Sequence, residues 1–201
     1  MSLPPFAVTF DYRCPFARTA HEHLVLALQS GADFDATFLA FTLDQPHVEP
    51  GGLDAWEDPA RLASQTATLM GLAVRDTQPD HFLAVHLALF TARHERQLDV
   101  RDPAAIAGVV DAAGGDGQAA LAEVVSGRPL ATLAQEHQRL VARHEVFGVP
   151  TFVIGDDAVF IRLTERAGGD SAIAAATIDR IVDTITGWPS LNELKHTRIS
   201  R

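Results

Sequence analysis

Phe10-Asp11-Tyr12-Arg13-Cys14-Pro15-Phe16-Ala17 is the stretch from which the rest of this chain can be read. An apolar, strand-like run, Phe6 to Phe10, ends at Asp11. A helix-like run then begins at Pro15, in the first-turn position that proline favours. Phe16, Ala20, Leu24 and Leu28 recur at helical spacing to about Ser30, and Gly31 supplies the stop. Cys14 therefore stands at a strand-to-helix junction, on the N-terminal end of a helix. Free backbone N–H groups and the positive end of the helix dipole stabilise a thiolate there. It is the only cysteine in 201 residues, and the position one turn further along the same face is Ala17.

Working outward, Phe34 to Phe41 alternates large and small residues and reads as a second strand. Strand, helix, strand is the unit that builds a parallel sheet. Gln45 to Asp58 is a Pro- and Gly-containing loop, and from Pro59 to Phe147 every periodic segment reads as helix. Pro79 opens one such segment, Asp102-Pro103 caps another that ends at Gly114-Gly115, and Pro129 opens a third that closes at Gly148. Strand character returns at Thr151 to Ile154, turns at Gly155-Asp156-Asp157, and runs back from Val159 to Leu163. Asp170-Ser171 then caps a last helix that stops at Gly187. The pattern predicts an α/β fold carrying an inserted all-helical block.

Composition narrows the partners. Hydrophobic residues make up 47% of the chain, yet no run approaches the roughly 18 apolar residues of a membrane span. A net charge of −10 argues against nucleic acid and anionic membranes as partners. The start, Met1-Ser2-Leu3-Pro4-Pro5, lacks the regions of a signal peptide, and a single cysteine allows no internal disulfide. Both point to a reducing cytoplasm. Lys195 is the one lysine against many arginines, a bias typical of a GC-rich bacterial genome.

Cys14-Pro15-Phe16-Ala17 at the strand-to-helix junction, Gly148-Val149-Pro150-Thr151 just before a later strand, and the helical block between them resemble the thioredoxin-like superfamily. The likeness is to its DsbA-like branch, related to the kappa-class glutathione transferases and the 2-hydroxychromene-2-carboxylate isomerases. It implies a thioredoxin-like fold from residues 1–58 and 148–187, a helical insertion over 59–147, and a tail over 188–201. It also implies a cis Val149-Pro150 bond beside the active-site sulfur, with Val149 offering its backbone to a bound partner. Cys14 becomes the expected nucleophile. Ala17 departs from the dithiol pattern of the family, so a mixed disulfide on Cys14 has no resolving thiol within the chain.

Three readings follow. Cys14 works as a monothiol, resolved by a low-molecular-weight thiol such as glutathione or mycothiol, on a small thiol or disulfide substrate. Alternatively, it anchors a thiol cofactor for transferase or isomerase chemistry, in the position where those relatives place a serine. In the third, the groove binds without catalysis. None requires a covalently bound cofactor.

The neighbours fit an active thiol. Arg13, beside it, and Arg18, one turn on, bring positive charge that lowers a thiol pKa. Tyr12 and Phe16 are placed to wall a pocket for an apolar or aromatic substrate. Each has a plain alternative: solvated charges, a core phenylalanine, an inert buried thiol. The nine histidines lack metal-pair spacing and are expected at the surface or the core edge, with no metal site. The stretches Glu136 to Arg139 and Arg143 to Glu145 read as solvated helix faces. The tail from Trp188 to Leu194 has an apolar look suited to docking on its own domain or on a partner, a homodimer included.

Overall fold

The computed structural model describes residues 3–197; Met1, Ser2 and positions 198–201 of the expected tail lie outside them. Strand β1 (Phe6–Phe10) buries Phe6, Val8 and Phe10. Helix α1 (Pro15–Gln29) and strand β2 (Ala36–Ala40) follow, with β2 parallel to β1 from Phe6 opposite Ala36 to Phe10 opposite Ala40. A parallel pair needs a crossover, and α1 supplies it. The helical block comes next: α2 (Pro59–Leu62), α3 (Thr66–Thr77), α4 (Pro79–His94), α5 (Pro103–Ala112), α6 (Gly117–Val125) and α7 (Arg128–His144). Then β3 (Thr151–Ile154) pairs antiparallel to β1, and β4 (Asp157–Phe160) antiparallel to β3, giving the sheet order β2-β1-β3-β4. The last helix, α8 (Ser171–Gly187), packs along α1.

Caps and prolines place the helix starts. Asp102 accepts from Ala104 N–H ahead of Pro103, and Asp170 accepts from Ala172 and Ile173 N–H ahead of α8. Three boundaries differ from the sequence reading. β2 begins at Ala36, because Phe34 N–H turns back onto the Ala32 carbonyl. α7 stops at His144, where Glu145 takes a left-handed φ of 53°. β4 spans Asp157–Phe160 rather than Val159 to Leu163. Gly155 holds a φ of +60°, the conformation a two-residue hairpin loop asks of its first residue, so Asp157 already pairs with Ile154.

β2 lies at the edge of the sheet, where unpaired backbone groups need cover. The helical block provides it with side chains. Arg75 of α3 donates to the Phe38 carbonyl at 2.7 Å, and Glu136 of α7 accepts from Ala40 N–H at 2.6 Å. His137 Nδ1 accepts from Thr42 N–H at 3.3 Å, and Arg75 pairs with Glu136 at 2.8 Å. Glu136 and His137 are thus buried, not on the solvated face expected of them. One hydrophobic core runs from the sheet into this block. Trp188 and Leu194 of the tail stay exposed.

Candidate active site

β1 ends in a turn closed by Cys14 N–H onto the Asp11 carbonyl at 3.0 Å, and that turn delivers Cys14 to the N-cap of α1. Its φ of −86° and ψ of 119° are extended, as an N-cap requires, and Pro15 fixes the first helical position. The sulfur accepts from Ala17 N–H at 3.5 Å and donates to the Val149 carbonyl at 3.3 Å. The Val149–Pro150 bond is cis. Residues 135 positions apart thus meet at one thiol, itself only 8% exposed. Ala17 is fully buried, and its N–H faces the sulfur.

The expected acidification of the thiol does not survive the geometry. Burial pushes the Cys14 thiol above its ordinary value; N–H groups of Ala17 and Phe16 pull it back, and the Asp11 carboxylate pushes it up again. The bond to the Val149 carbonyl also favours the protonated form, because only a thiol can donate. Arg13 does not offset this. Its guanidinium forms a fork on Asp11, Nη2 to Oδ2 at 2.7 Å and Nε to Oδ1 at 3.0 Å, and a further bond to Asp44 at 2.8 Å. Asp11 also accepts from the Arg13 and Leu43 N–H groups. Arg13 is therefore the clamp between the end of β1 and the segment after β2, its charge spent on two carboxylates. Arg18 pairs with Glu95.

Tyr12 is no pocket wall. It is fully buried, with ring centroids 4.7 Å from Phe90, 5.2 Å from His86 and 5.2 Å from Phe10. It presses on α3 at Gly71, where a Cβ would lie 2.4 Å from the Tyr12 hydroxyl oxygen. That hydroxyl opens a buried chain: to His86 Nδ1 at 2.7 Å, from His86 Nε2 to His21 Nδ1 at 3.0 Å, and from His21 Nε2 to the Thr9 carbonyl at 3.1 Å. The last acceptor fixes every proton. A carbonyl only accepts, so His21 carries its proton on Nε2, His86 donates to His21, and the Tyr12 hydroxyl donates to His86. Both imidazoles are neutral, and burial lowers both pKa values, that of His21 to about 4. The histidines were expected at the surface or core edge, yet His21 and His86 are fully buried, and His23 and His137 nearly so.

The remaining expected site residues fall around the thiol. Val149 and Pro150 are buried beneath it, Pro15 is exposed, and Phe16 is half-buried with the Arg162 guanidinium over its ring. His94, which no sequence pattern marks, donates from Nε2 to the Tyr12 carbonyl at 2.9 Å and so braces the turn before Cys14 from α4. Its pKa is lowered, first by burial and then by Arg18. Among the described residues no three His, Cys, Asp or Glu side chains converge as a metal site would require, and no helix is long and apolar enough to cross a membrane.

The profile of the DSBA-like thioredoxin domain family matches residues 7–165. Comparison with curated proteins finds no match. Solved structures resemble the chain in fold. A thioredoxin-like oxidoreductase from Silicibacter pomeroyi DSS-3 is 18% identical, with 88% of this chain and 85% of that one covered and a TM-score of 0.57. The thiol-disulfide exchange protein alpha-DsbA2 from Wolbachia pipientis is 17% identical over 92% and 82%, with a TM-score of 0.61. The cytosolic disulfide reductase DsbM from Pseudomonas aeruginosa, solved with GSH, is 17% identical over 89% and 98%, with a TM-score of 0.60.

Proposed function

This chain belongs to the DSBA-like thioredoxin domain family, and from that membership we propose that it is a monothiol thiol–disulfide oxidoreductase in which Cys14 alone does the chemistry. The observation that carries the reading is the lodging of the Cys14 sulfur between the Ala17 N–H and the Val149 carbonyl. Deprotonated by solvent base, the sulfur attacks a small disulfide, with the N–H groups of the first turn of α1 supporting its charge. In the resulting mixed disulfide the sulfur has no proton to give. The Val149 carbonyl is released and becomes free to accept a hydrogen bond from the bound partner.

Release needs a second thiol from solution, for which glutathione or mycothiol is the proposed co-substrate. A raised thiol pKa makes the thiolate less stable relative to the disulfide it forms, so oxidation of Cys14 is favoured and release waits on excess co-substrate thiol. That favours reduction of the substrate over oxidation. We place the protein in the reducing cytoplasm, in keeping with its single cysteine and with the cytosolic disulfide reductase that shares its fold.

One feature favours a second reading. The protonated Cys14 sulfur is a hydrogen-bond donor, the role a serine takes when it anchors a thiol cofactor. Turnover of hydroxyethyl disulfide with glutathione, in the wild type and in Cys14→Ser, separates the two. The oxidoreductase reading expects a loss of at least about 100-fold in the variant. Retention of most of the activity would reject it in favour of the anchoring role.

A further inference from the structure

Arg162, an exposed residue just after β4, is a cation that no acid among the described residues neutralises. The other arginines along the first half of α1 are committed: Arg13 to Asp11 and Asp44, Arg18 to Glu95, and Arg166 to Glu22 and Glu95. Arg162 makes no ion pair or side-chain hydrogen bond among the described residues. Its guanidinium carbon instead lies 5.4 Å from the centre of the Phe16 ring and 5.7 Å from that of Phe160. Both distances fall within cation–π range. Two connections tie it to the sulfur. Phe16 is two residues from Cys14 on the first turn of α1. Ile161, the residue before Arg162, donates its N–H to the Pro150 carbonyl at 3.1 Å, and Val149 before Pro150 accepts from the Cys14 sulfur. Phe147, 71% exposed and 5.2 Å from Phe160, extends the apolar shelf along the same loop.

We propose that Arg162, held on the rings of Phe16 and Phe160, is the anion subsite for the substrate of Cys14, which is a small disulfide bearing a carboxylate. The proposal rests on Cys14 being the reacting thiol. Cation–π contact keeps the guanidinium over the two rings, and its N–H groups, unused by side chains among the described residues, are available to take a carboxylate through two parallel bonds. On a chain of net charge −10, a cation that is unpaired among the described residues and lies over Phe16, on the turn that carries the thiol, attracts an anion there. The Cys14 thiolate attacks one sulfur of R–S–S–R while Arg162 holds the carboxylate of that half. The Cys14–S–S–R bond forms, the substrate S–S bond breaks, and RS⁻ leaves to take up a proton from water. The Cys14 sulfur is oxidised as the departing disulfide sulfur is reduced to RS⁻.

Three disulfides of similar length test this on the full chain by intact-mass rates of adduct formation: dithiodipropionate (anionic), hydroxyethyl disulfide (neutral) and cystamine (cationic). Arg162→Gln is expected to lower the anionic-to-cationic rate ratio about threefold, as removal of one exposed charge pair implies. Arg162→Glu lowers it further, high salt shrinks the difference, and the neutral disulfide reacts at its wild-type rate throughout. A ratio unchanged in both variants overturns the subsite. So does a neutral rate that falls as far as the anionic one, which would make Arg162 a packing residue. Failure of wild type to react with the neutral disulfide overturns the reading of Cys14 itself, and the subsite with it.

Discussion

At Cys14 two N–H groups of the first turn of α1 pull the thiol toward its anion, while burial and the Asp11 carboxylate push it the other way. The helix end is real but outweighed, because the sulfur is almost closed off from water and the nearest cation is already paired. Asp11→Asn removes one of the groups that raise the pKa and leaves Arg13 with Asp44 as its one carboxylate partner among the described residues. The pH profile of Cys14 alkylation is therefore expected to lie above the ordinary thiol value of about 8.5 in the wild type and to shift toward acid in the variant. An unmoved or alkaline-shifted profile would contradict this assignment of causes. The thiol and Pro15 could be read from neighbouring letters, and the Val149-Pro150 pair from the resemblance to the DsbA-like branch. The cancellation of Arg13 could not, since its second partner, Asp44, lies 31 residues away and is brought up only by the return of β2.

The chain from Tyr12 through His86 to His21 and the Thr9 carbonyl joins β1, α4 and α1. It locks the strand that carries the thiol turn against the helical block. Both imidazoles are neutral when folded, and His21 titrates near 4 there against about 6.5 in the unfolded chain. Between those values the unfolded state binds more protons, so stability falls as the pH is lowered through this window and is full above it. His21 alone accounts for on the order of 3 kcal/mol of that loss. Urea midpoints measured from pH 7 down to about 4 should drop steadily, whereas a flat course would show that these histidines titrate normally. Helix starts were legible because prolines and aspartate caps are local signals. The buried histidines were not, because a polar residue inside a helix is placed by its partner on another element, here 65 positions away for His21 and His86. The same holds for Glu136 and His137, whose partners are backbone groups of a strand edge.

Taken whole, the molecule builds its site from two distant parts of the chain and separates them by a block that also seals the open edge of β2. The order of strand, helix, strand, helices and hairpin was visible from periodicity, whereas the meeting of Cys14 and Val149 was expected only from the resemblance to the DsbA-like branch. Arg162 was not visible, because it acquires its place only when β4 and α1 bring Phe160 and Phe16 within reach of its guanidinium. In the proposed reaction the absence of a second cysteine is decisive, since no other thiol in the chain could resolve the mixed disulfide. The most direct measurement is the lifetime of that species. The full chain is treated with excess hydroxyethyl disulfide, freed of reagent and followed by intact mass. The account predicts one adduct per chain that persists in buffer and disappears on adding glutathione. No adduct, or one that is lost without an added thiol, would contradict it.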